Sequence, residues 1–118
     1  MVELRMIHDS AGIASMREAQ VATRAGHLAA MAQTRAGCQE HAIRGALEGA
    51  IFAHGMQCAY NSIITVHGEI LHNEDYHHTL EPTDLLLADA GAEYDGWASD
   101  VTRTWPVSGK FSPTQRAV

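Results

Sequence analysis

Leu85-Leu-Leu-Ala-Asp89-Ala-Gly-Ala-Glu-Tyr-Asp95-Gly-Trp-Ala-Ser-Asp100-Val-Thr-Arg-Thr-Trp105 is the stretch on which the fold turns. Leu85 to Ala88 is a continuous apolar run, suited to a strand buried on both faces. Tyr94-Asp95-Gly96 supplies a hairpin turn, and Trp97 to Trp105 reads as the returning strand, ended by Pro106, which has no N–H for a ladder. A two-residue loop at Tyr94-Asp95 pairs Asp89 directly with Asp100. A loop at Asp95-Gly96 pairs Asp89 with Thr102 and leaves Asp100 diagonal. Side chains alternate with period two, so in either register Asp89, Asp100 and Thr102 share a face unless a bulge intervenes, with Cβ atoms roughly 5 to 8 Å apart.

Two carboxylates held side by side cost energy, because like charges on paired strands repel and one acid is pushed toward its neutral form. A divalent cation, or two cations sharing a bridging carboxylate, removes that repulsion. The plain alternative is a surface hairpin with two solvated acids, or an ion pair to Arg103, and spacing alone favours it.

Upstream, residues 10 to 33 place Ile13, Met16, Val21, Leu28 and Met31 on one arc of a helix, with Arg17, Glu18 and Arg24 outside it. Asp9 and Ser10 are candidate caps, Gly12 and Gly26 weaken the helix slightly, and Ala36-Gly37 is a stop. A second core-facing helix is expected over 39 to 54, where Ile43, Leu47 and Ile51 recur every four residues and Gly55 follows as a left-handed cap. From Tyr60 the chain turns to strand chemistry: Ile63 to Val66 are β-branched, Gly68-Glu69 is a turn, and Ile70-Leu71-His72 reads as a further strand. Glu81-Pro82-Thr83-Asp84 is a turn before the hairpin. Ser112-Pro113-Thr114-Gln115 looks like a capped helix start with too few residues after it. The resulting class is α+β, two leading helices followed by antiparallel strands.

Composition narrows the function. With 46% hydrophobic and 19% charged residues, the chain is ordinary for a globular domain, so disorder or a fibrous repeat is not expected. A net charge of −6 without a Lys/Arg cluster argues against nucleic acid or an anionic membrane as partner. No apolar run is long enough to span a bilayer, and Met1-Val-Glu-Leu-Arg-Met-Ile-His8 lacks the form of a signal peptide, so a cytoplasmic location is expected. Cys38 and Cys58 have no CxxC spacing and are expected to be reduced, partly buried thiols.

The stretch Asn61-Ser-Ile-Ile-Thr-Val-His-Gly-Glu-Ile-Leu-His72, with Asp84 through Asp100 to Ser112, resembles the proline-specific aminopeptidases and dipeptidases of the pita-bread metallopeptidases. The resemblance extends over essentially the whole chain. Ala11 to Gly55 looks like that family's two leading helices, with Gly37 and Glu40 at its Pro-Gly-x-x-Glu site. Departures are Ala36 for the usual proline, His8 where lysine is common and Gly12 where an acid is common. Residues 1 to 118 would then be the amino-proximal half of a pita-bread fold.

In that family five side chains hold two divalent metal ions, usually manganese, with zinc or cobalt as alternatives. The resemblance implies that Asp89 binds one metal, that Asp100 bridges both, and that His72 stands beside the scissile amide to position substrate or relay a proton. The implied reaction is hydrolysis of the bond between an N-terminal residue and proline in a peptide substrate, by an enzyme that could be a homo-oligomer. No acid follows Asp100, so three of the five ligands and the general base are expected outside this chain, and the chain alone is expected to be inactive. A methionine aminopeptidase, which shares the two-aspartate hairpin, is the alternative, and a non-catalytic remnant or binding module is a third. His67, His77 and His78 match no family role and read as exposed. A separate zinc site from His72, His77 and His78 lacks helical spacing or cysteine partners.

Overall fold

The computed structural model describes residues 6–117. Its elements are α1 (Ser10–Gln33), α2 (Glu40–Ala53), β1 (Gln57–Cys58), β2 (Ile63–Thr65), β3 (Leu85–Ala90), β4 (Ala92–Tyr94), β5 (Trp97–Ala98) and β6 (Val101–Pro106). Asp9 caps α1, its Oδ1 accepting from the Gly12 N–H at 2.8 Å. Gly55 takes a left-handed φ of 74° just past α2, as expected of a helix stop. The end of the described chain is a single turn, with Ser112 Oγ accepting from the Gln115 N–H at 3.1 Å.

α2 buries the residues its spacing selects. Ile43, Leu47 and Ile51 are fully buried and join Ile64, Leu80, Leu86, Ala88 and Ala90 in one core. α1 does not follow its apolar arc. Ile13, Val21, Leu28 and Met31 are 39–55% exposed, while the buried face is Gly12, Ala19, Ala22, Thr23, Gly26, His27 and Ala30. The reason is distance. α1 lies directly on α2, β4 and β5, and at Gly26 a Cβ would already stand 3.0 Å from the Leu47 carbonyl oxygen. A face of large side chains cannot approach that closely, so the small residues face inward and the large ones outward.

The strands form two antiparallel three-stranded sheets, β1-β4-β5 and β2-β3-β6. β3 is less enclosed than its apolar run suggests: Leu86, Ala88 and Ala90 are buried, but Leu85, Leu87 and Asp89 on the other face are only half-buried. The hairpin takes the second register, with Tyr94 opposite Trp97 and Asp89 opposite Thr102. Asp95 and Gly96 sit at φ 53° and 80°, the two positive angles of a type I′ turn. The returning strand is not continuous. It breaks at Ser99-Asp100, opposite Gly91, where the hairpin leaves one sheet and enters the other.

Residues 66 to 84 carry no named strand. Ile70-Leu71-His72, expected as a strand, is a turn, with Ile70 53% and Leu71 84% exposed. Among the described residues no strand offers it a ladder, and side chains hold the loop instead. Asn73 Nδ2 donates to Thr65 Oγ1 at 3.1 Å, and the Tyr76 hydroxyl donates to the Ser62 carbonyl at 2.7 Å. The loop is pinned to the start of α2 by Glu40, fully buried, whose carboxylate accepts from the Val66 N–H at 2.8 Å and the His78 N–H at 3.3 Å.

His27 is 5% exposed, with Nε2 3.4 Å from the Ala90 carbonyl. Burial pushes its pKa below the ordinary value of 6.5. The unfolded chain therefore takes up this proton first, and stability should fall as pH drops below about 6.5, until the folded His27 also titrates. Thermal melts between pH 5 and 8 check this: His27→Gln should show a shallower fall than the parent, and equal slopes would refute it.

Candidate metal centre

β3 delivers Asp89 on its half-buried face, and Asp100 follows the break in the returning strand. The two register as diagonal neighbours, Asp89 standing opposite Thr102. A third side chain joins them. The Tyr60 hydroxyl lies 2.6 Å from Asp89 Oδ1 and 2.8 Å from Asp100 Oδ1. Burial, then the two carboxylates, hold this phenol far above its ordinary pKa, so it stays protonated. Nothing in the local sequence pattern around Tyr60 distinguishes it from a core tyrosine.

These residues line a cleft of about 370 Å³ together with Asn61, Ile63, His72 and Glu74. All three site residues expected from the sequence, Asp89, Asp100 and His72, therefore face one cavity. His72 is the only non-glycine besides Asp95 with positive φ among the described residues, at 52°. A residue so held is strained by about 1 kcal/mol or more, and such strain clusters at functional positions. Glu74 adds an acid at the rim, with Asn61 Nδ2 donating to its two oxygens at 3.2 and 3.3 Å.

The other histidines go elsewhere. His78 is half-buried rather than exposed, its Nδ1 3.0 Å from Glu40 Oε2, and the His67 ring packs edge-on against it at 4.5 Å. His67 is also half-buried, with Nδ1 3.0 Å from Glu69 Oε1. A buried carboxylate draws this pair in, because it needs more donors than the two backbone N–H groups supply. Only His77 is exposed as expected. Among the described residues Arg103 makes no ion pair; it donates to the Thr102 carbonyl at 2.8 Å.

Among the described residues no group of three or more His, Cys, Asp or Glu side chains is arranged to hold a metal ion. Asp89 and Asp100 nevertheless fit as part of a cation site. Their Oδ1 atoms converge on one phenol oxygen, and hard oxygen donors of this kind suit divalent ions.

The model of metallopeptidase family M24 matches residues 14–118. The chain belongs to that family. Relatives agree along the full length of this M24 chain: the Xaa-Pro aminopeptidase of Escherichia coli is 38% identical over all of it, and that of Haemophilus influenzae is 38% identical over 98%. The chain spans 29% and 28% of those two relatives. Among solved structures, proline aminopeptidase P II from Yersinia pestis superposes with a TM-score of 0.94 at 40% identity, over 98% of this chain and 27% of its own. A zinc-substituted E. coli aminopeptidase P in complex with product superposes at 0.91 and 37%, over 96% of this chain and 26% of that one. The two helices and antiparallel strands are thus part of a pita-bread fold, and divalent metal use is a property of the M24 family.

Proposed function

We propose that this chain supplies the two-aspartate part of the metal centre of an aminopeptidase that releases an N-terminal residue from a following proline, and that the 118 residues alone do not turn over. The convergence of Asp89 and Asp100 in the cleft that His72 also lines is the observation that carries this reading. The relatives supply the substrate class: they are Xaa-Pro aminopeptidases, and one E. coli aminopeptidase P structure contains the inhibitor Pro-Leu. No helix among the described residues is long and apolar enough to cross a membrane, which is compatible with a cytoplasmic enzyme.

In this reading Asp89 and Asp100 would hold the divalent metal, manganese ahead of zinc or cobalt. Bound divalent ions would lower the pKa of a water and polarise the scissile carbonyl. His72, fixed by its strained backbone at the edge of the cleft, orients the substrate or passes a proton. Asp89 keeps its orientation because it hangs from backbone paired on both sides, to Ile63 and to Thr102, rather than from a loose loop.

Titrating the purified chain with Mn²⁺ by calorimetry, and assaying an Xaa-Pro peptide, tests the proposal. Metal binding that Asp89→Asn and Asp100→Asn each remove, with no hydrolysis, is the expected result. Metal binding indifferent to both substitutions would overturn the site, and two bound Mn²⁺ with turnover would overturn the inactivity.

A further inference from the structure

We propose that Tyr60 is a positioning residue for the metal-ligand pair: its hydroxyl ties Asp89 to Asp100 across the bend of the hairpin and leaves the Oδ2 oxygens of both for a cation. The proposal rests on the metal-centre reading above and adds a residue that the two-aspartate spacing does not contain.

Three observations carry it. First, both contacts use Oδ1, at 2.6 Å for Asp89 and 2.8 Å for Asp100. Both are within the range of O–H···O⁻ hydrogen bonds, although a phenol has a single proton and donates to one acceptor at a time. Second, Asp100 sits in the gap between β5 and β6, so no named strand holds it. Asp89, by contrast, is paired on both sides, to Ile63 and to Thr102. The phenol supplies the tie that the ladder does not. Third, the backbone under Tyr60 is anchored without help from either carboxylate, because the Ala59 N–H donates to the Gly91 carbonyl at 2.8 Å. Tyr60 therefore reaches the pair from a fixed point, and what it touches is set by position. Partners of this kind behind metal ligands typically hold about 10–100-fold of metal affinity.

The test uses the 118-residue chain with Tyr60→Phe, which removes one oxygen and leaves the ring packing. Mn²⁺ affinity is read by electron paramagnetic resonance of the free ion, and thermal unfolding in EDTA is followed for Tyr60→Phe, Asp100→Ala and the double variant. Tyr60→Phe should weaken Mn²⁺ binding about tenfold or more, while Tyr94→Phe, at the exposed end of β4, leaves it unchanged. In EDTA the two substitutions should be non-additive, since each breaks the same contact. Additive melting shifts, or Mn²⁺ binding as tight in Tyr60→Phe as in the parent, would overturn the positioning role. Absence of Mn²⁺ binding by the parent overturns the metal reading and this role with it, and the EDTA cycle still shows separately whether the tie exists.

Discussion

Gly91→Ala is expected to cost about 3 kcal/mol or more, because the methyl group has no room and its neighbour is backbone. Gly91 joins β3 to β4 and is buried. A Cβ built there overlaps the Ser99 carbonyl group and crowds the Asp100 nitrogen. A flexible side chain could move aside, but this carbonyl cannot. The Ser99 N–H donates to the Ala92 carbonyl at 2.9 Å, and the Gly91 carbonyl accepts from Ala59, so any shift breaks ladder bonds on one side or the other. For a domain of this size the penalty corresponds to a drop of roughly 10 °C in melting temperature. Circular dichroism melts of Gly91→Ala against the parent read it directly, and a loss of only a degree or two would show that the bend is softer than the geometry states. The same substitution moves Asp100 relative to Asp89, so a surviving folded fraction should also bind Mn²⁺ more weakly.

Glu40→Ala carries the second large effect. Glu40 opens α2 with no solvent exposure, a position where a negative charge also meets the positive end of the helix dipole. Its carboxylate accepts from the Val66 and His78 N–H groups and lies 3.0 Å from His78 Nδ1. Alanine removes all of these acceptors at once and leaves the donors facing a cavity, a loss of about 3–5 kcal/mol. Glu40→Gln keeps one acceptor oxygen and should lose less than alanine does. Hydrogen exchange gives the local signature: the Val66 and His78 amides should exchange faster in Glu40→Ala before the core of α2 opens. Unchanged protection at both amides would mean that the loop is held by its other contacts, such as the His41 N–H to Tyr76 carbonyl bond of 3.0 Å.

Much of the candidate site could be read without coordinates, and the missing part has a physical cause. The hairpin pattern marks Asp89 and Asp100, the family resemblance adds His72, and all three line the same cleft. Tyr60 lies 29 and 40 residues from the aspartates it meets. No local periodicity encodes a contact across that separation. The same holds for the loop of residues 66 to 84: Ile70 and Leu71 have strand chemistry, but a strand needs a partner edge, and none of the described strands pairs with them.

What the sequence determined by itself is what short-range physics sets. The Asp9 cap, the four-residue spacing that buries Ile43, Leu47 and Ile51, and the Asp95-Gly96 turn each depend on residues within one turn of helix or one hairpin loop. The shared face of Asp89 and Thr102 follows from strand alternation, which is equally local. Only the tertiary structure decided which side of α1 faces inward, because that choice compares the apolarity of Ile13, Val21, Leu28 and Met31 with the close approach that Gly26 and its small neighbours permit. Only it decided that the hairpin bends at Gly91, exchanges sheets, and brings Asp100 under the Tyr60 hydroxyl. Local preference is a property of each segment, whereas packing distance and long-range hydrogen bonds are properties of pairs of segments, and they exist only once both are in place.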